Sequence, residues 1–154
     1  GAGLYRRSLY TFWRRIIAPT MFFDTASRQY CTVKPLRTNS PLHALATLDD
    51  DTYMEAARAM AGRILSGPHS SAESRVEEAF RLALARRPST RERELLVAGL
   101  DRLKEEFAAE PAAATKLLSV GESKNPAKLD PIEHAAYAGL CLEILNLDET
   151  LTKE

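Results

Sequence analysis

Cysteine is scarce in this chain: Cys31 and Cys141 are the only two among 154 residues. They can close at most one internal disulfide, so no disulfide framework holds the fold, and spacing alone leaves their pairing open. No C-x-x-C pair for zinc or thiol exchange is present, and no C-x-x-C-H for covalent haem attachment. Glycine-rich phosphate loops, H-E-x-x-H and G-x-S-x-G are also missing, so no catalytic motif is visible. His43, His69 and His134 are far apart, none with another histidine or a cysteine three or four residues away, and no metal site is expected. No apolar run approaches the ~20 residues that span a bilayer. The opening residues do not read as a basic, apolar, small-residue leader.

Net charge is absent too, with 21 basic and 21 acidic residues, which disfavours a nucleic-acid partner for the chain as a whole. The balance hides an asymmetry. Residues 1–40 carry Arg6, Arg7, Arg14, Arg15, Arg28, Lys34 and Arg37 against the single acid Asp24, a net +6, and the remainder is −6. Such segments attract each other within one fold or present a basic arm to a partner.

What is present is helical patterning. In residues 5–17, Tyr5, Leu9, Phe12, Trp13, Ile16 and Ile17 share one face at 100° per residue, opposite Arg7, Thr11, Arg14 and Arg15. A period of two would suit only a strand buried on both sides. The arginines and aromatics could contact phosphates and bases, but an amphipathic helix packing its aromatic face on the core accounts for them better. Residues 18–39 hold no sustained period and read as an extended arm laid against something.

From residue 40 the punctuation is strong. Ser40-Pro41 opens a short helix to about Leu48, and Thr52 with Glu55 forms a capping-box pattern ahead of a stripe of Tyr53, Ala57, Met60, Ala61, Ile64 and Leu65. Asp49-Asp50-Asp51 lacks the spacing of a calcium loop and reads as negative charge at that helix start. Further helices are predicted over about 71–86, with Val76, Ala79, Phe80, Ala83 and Leu84 inward, and about 90–109, with Leu95, Leu96, Leu103 and Phe107 inward. Ser89 and Glu92 make a second capping box. Pro111 starts a shorter helix to about Ser119, 120–129 is a loop, and Asp130 caps a last helix with Ile132, Ala136, Leu140 and Ile144. The expected fold is all-α, an irregular domain of six to seven helices. It divides into a basic aromatic segment, 1–39, and a helical domain, 40–154, together one structural unit.

RRSLYTFWRR at 6–15, FDTASRQYCTVKPLRTNSPLHAL at 23–45, FRLALARRPSTRERE at 80–94 and LCLEILNLDE at 140–149 resemble, in that order, one family. It is the planctomycete-specific C-terminal domain of unknown function found in large secreted proteins, often with cytochrome-c-like modules. The resemblance covers nearly the whole chain; its most specific part is the central stretch from the aromatic-rich segment to R-T-N-x-P-L, and the junction L-x-R-x-P-x-x-x-E at 84–92 is weaker alone. His43 stands where the family usually has Gln, implying a weaker cap, and Ala85 where it usually has Gly, implying a slightly less bent junction.

The resemblance implies that this chain is the C-terminal part of the domain, with further sequence ahead of Gly1, in an exported, extracytoplasmic protein. It implies upstream domains of the same polypeptide as partners, with haem c in those domains and no cofactor in this chain. No catalytic residues are established for the family, so none carry over. The first reading is a structural or interaction module. The alternative is part of an enzyme or electron-transfer unit of polysaccharide or envelope metabolism, with Arg7, Asp24, Arg37 and Asn39 as candidate anion or partner contacts.

Overall fold

The computed structural model describes residues 41–126 and 128–151. They form seven helices with no strand among them: α1 (Pro41–Asp49), α2 (Asp51–Leu65), α3 (Ala72–Leu84), α4 (Thr90–Ala109), α5 (Pro111–Leu118), α6 (Pro131–Leu145) and α7 (Asp148–Leu151). The expected helix over 5–17, the extended arm over 18–39 and the Ser40 cap lie outside the described residues, as does the side chain of His43.

Helix α6 is the centre. It starts where Asp130 accepts a hydrogen bond from the Glu133 amide at 2.8 Å, with Pro131 supplying a preset first turn. His134, Ala135, Ala136, Tyr137, Ala138, Leu140, Cys141, Leu142 and Ile144 are all buried, so α6 is apolar around most of its circumference rather than along one stripe. α2 packs against it most extensively, followed by α4 and α5. Small side chains make this close packing feasible: Ala57 and Ala61 of α2 are fully buried in the same core as Ala136 and Ala138. Val76, Ala79 and Phe80 of α3 and Leu100 of α4 complete that core, each large side chain contributing roughly 1.5–3 kcal/mol. A smaller cluster of Ala114, Leu118 and Ala135 seats α5 on α6.

Several local expectations change. The start of α2 is capped by Asp50, whose Oδ1 accepts from the amides of Thr52 and Tyr53 at 2.9 and 3.1 Å, so Thr52 is not the cap. Asp is at least as good a cap as Thr, and its use here frees Glu55 for a different task. Leu95 is 62% exposed. The inward stripe of α4 is Leu96, Leu100, Leu103 and Phe107, at helical spacing, and Leu95 lies about 100° away from it. The Ser89–Glu92 capping box is present in both directions. Cys141 is a free thiol, buried in α6, and burial pushes its pKa up to about 12. Cys31 lies outside the described residues.

The junction after α3 keeps a left-handed turn without glycine. Ala85 adopts φ 58°, ψ 14°, and its amide donates to the Arg81 carbonyl at 2.9 Å. An L-residue in this region carries roughly 1–2 kcal/mol of steric strain, which glycine escapes. Ala85→Gly is therefore expected to stabilise the fold by about 1 kcal/mol. In thermal unfolding that corresponds to a rise of roughly 2–4 °C; an unchanged or lower Tm would contradict the strain argument.

Candidate functional site

Arg7, Asp24, Arg37 and Asn39 all lie outside the described residues. The most developed polar site among the described residues is one that periodicity did not mark, on α2 and the loop that follows α5.

Arg58 sits on the buried side of α2, 3% exposed, among the buried Ala57, Ala61, Gly62 and Ile64. Its Nη2 donates to the Ser123 carbonyl at 2.9 Å and to Ser123 Oγ at 2.7 Å. Nη1 reaches the Leu118 carbonyl at 3.4 Å and Asn125 Oδ1. Asn125 Nδ2 in turn donates to the same Leu118 carbonyl at 2.8 Å. The planar guanidinium thus ties the end of α5 and the loop 123–125 to α2, a role that its fixed fork of donors suits.

Glu55, one turn earlier, accepts from the amides of Glu122 and Ser123 at 3.2 and 2.7 Å. It stands 3.8 Å from Arg58. The loop must pass very close to this carboxylate. At Gly121, φ is +88°, and a Cβ there would fall 2.5 Å from Glu55 Oε2, so two independent constraints require glycine. On the far side, His134 Nε2 lies 3.0 Å from the Arg58 carbonyl. A carbonyl only accepts, so Nε2 carries the proton and the imidazole is a donor joining α6 to α2.

Beside this network is a pocket of about 300 Å³ between the second half of α2 and the 123–126 loop. Its charged lining residues are Arg58, Arg63 and Lys124, with Ser66, Ser123 and Asn125 supplying polar groups. The loop approaches closely here as well, since a Cβ at Gly62 would meet Pro126 Cγ at 3.2 Å.

Two other polar groupings are structural joints. The fully buried Tyr137 ring lies under the Arg75 guanidinium at 5.7 Å and the Lys104 ammonium at 5.5 Å. Arg75 also pairs with Glu133 at 2.8 Å and donates to the His69 carbonyl at 2.9 Å, joining α3 to α6. Arg86 stacks over Phe80 at 4.7 Å and grips two carboxylates. Its Nε and Nη2 meet Glu149 at 2.8 and 2.6 Å, and its Nη2 and Nη1 meet Glu92 at 2.9 and 3.2 Å. Glu92 Oε2 accepts from the Ser89 amide at 2.7 Å. Arg86 and the Ser89 amide together pull the Glu92 carboxyl down to about 2. The L-x-R-x-P-x-x-x-E junction and the segment 140–149 therefore meet through one side chain.

No group of three or more potential metal ligands occurs among the described residues, and none of their helices is long and apolar enough to cross a membrane. Against known families, residues 1–100 match PSD1, a protein of unknown function (DUF1553), and the chain belongs to that family. The match ends at Leu100 and is shorter than the resemblance, which runs to Glu149. The comparisons with curated proteins and with solved structures found no match.

Truncating Arg58 to Ala leaves the Leu118 and Ser123 carbonyls and Glu55 without their cation, and is expected to cost about 3–5 kcal/mol in denaturant unfolding. Arg58→Lys keeps the charge but not the fork, and should recover only part of that loss. For the junction, the folded-state Glu92 pKa lies below its ordinary 4.5, so its contribution is present above that value and disappears as pH falls through about 2. An NMR titration should show the low midpoint in the parent chain and return it toward the ordinary range in Arg86→Gln.

Proposed function

We propose that this PSD1-family chain is a non-catalytic helical module that packs against other domains of a larger, exported polypeptide. On this reading the whole is a planctomycete-type multidomain protein working outside the cytoplasm, and any haem c it carries belongs to domains other than this one. What supports the wider context is the sequence resemblance described above.

The single observation that carries the packing role is the outer side of α1. Leu45 is 62% exposed, and Leu48 is exposed as well, although both lie on an apolar nine-residue helix, PLHALATLD. α1 is fastened to the body by Thr47, whose hydroxyl lies 2.6 Å from Asn146 Oδ1 at the end of α6. Leu147, next to that bond, is exposed too. A helix held firmly on one side with leucines presented on the other suits a surface that a neighbouring domain covers. The polar side chains of Arg58, Arg75 and Arg86, meanwhile, are engaged in joining helices.

The chain on its own is expected to bind a hydrophobic dye in its folded state and to lose that binding in Leu45→Glu/Leu48→Glu, with a cooperative melt in both. A parent chain that is a monodisperse monomer and binds no dye would refute the packing role.

A further inference from the structure

The pocket beside Arg58 has a charge pattern that the joints described above explain only in part. Residues 41–154 carry 20 acids against 14 bases, yet every charged side chain lining this pocket is cationic: Arg58, Arg63 and Lys124. Arg63 and Lys124 are exposed and make no ion pair with any described residue. Arg58 is buried, its nearest carboxylate is at 3.8 Å, and its Nε–H has no acceptor among the described residues. A buried guanidinium whose nearest carboxylate stands off at 3.8 Å keeps part of its positive potential in a low-dielectric wall, where it acts most strongly on an anion.

We propose that this pocket holds a compact oxyanion, a phosphate or sulfate group, either free or as the ester end of a larger molecule. Arg63 and Lys124 supply charge-assisted hydrogen bonds from two sides, α2 and the loop. Ser123 Oγ accepts from Arg58, which leaves its own proton to donate outward, and Ser66 adds a second hydroxyl. The volume of about 300 Å³ admits such a group with some of its water. The nearby end of α2 is its C-terminus, whose carbonyls repel anions, so binding depends on the side-chain cations. Binding would also draw the 123–125 loop and α2 together across the same network that Arg58 and Glu55 already hold.

The test is a two-dimensional amide and arginine Nε–H NMR titration of the full chain with inorganic phosphate, and separately with sulfate, at ionic strength matched with chloride. Saturable shifts are expected at Arg63, Ser66, Ser123 and Lys124 and at the Arg58 Nε–H. Arg63→Gln and Lys124→Gln, both at exposed positions away from the core, should each weaken binding by about tenfold while leaving the melt intact. A sugar phosphate or sugar sulfate that binds more tightly than the inorganic ion would assign an ester end as the natural ligand, and equal affinity would assign the free ion. Shifts that do not saturate, or affinity unchanged in both variants, would overturn the proposal. Because the α1 leucines play no part in this titration, its outcome is separate from that of the domain-packing test.

Discussion

A guanidinium that is 3% exposed has no water to share, so its surroundings must supply acceptors or the charge must leave the interior. Around Arg58 this requirement organises a large part of the domain. The last turn of α5 offers the Leu118 carbonyl, the following loop offers Ser123 and Asn125, and Glu55 secures the same loop by its amides. His134 adds α6 to the arrangement through the Arg58 carbonyl. The segment 119–126 has no regular structure of its own, and its path is set by these side chains of α2. Gly121 follows from that path, because the loop passes where any side chain would strike Glu55.

The second organising device works at the surface. Arg86, stacked on Phe80, binds Glu92 at the start of α4 and Glu149 in α7, and Glu92 also completes the cap of α4. Single exposed ion pairs contribute little, but a bidentate, shared arrangement on a stacked guanidinium has the geometry in which they do contribute. The α3–α4 junction is then held by two unlike means: a capping network that favours it and a left-handed Ala85 that resists it. Two of the segments carrying the family resemblance thus have a structural reason to occur together.

Function is read from what remains after these joints are accounted for. On the proposed reading, the leucines of α1 are covered by a neighbouring domain and the cation-lined pocket takes an oxyanion. The two features occupy different parts of the molecule, one beside the end of α6 and one beside the second half of α2. They are compatible: a module seated among other domains can also hold an acidic ligand.

Helix existence was legible in the residues because capping and periodicity are local. Ser89 with Glu92, Pro111, and Asp130 with Pro131 mark boundaries that the structure reproduces to within a residue or two. The inward faces of α2 and α3 follow from the 3.6-residue period in the same way. Other features belong to the tertiary structure alone. Thr52 and Glu55 have the spacing of a capping box, but the loop amides of Glu122 and Ser123, 67 and 68 residues away, bind the carboxylate instead. Arg58 has no place in the apolar stripe that periodicity marks, and the partners brought in by α5 and its loop make its burial tolerable. The candidate pocket likewise joins side chains from α2 to others some 60 residues later, a proximity that no local pattern encodes. Local backbone and capping energies determined the helices; the long-range satisfaction of a buried charge decided how their loops and polar site are arranged.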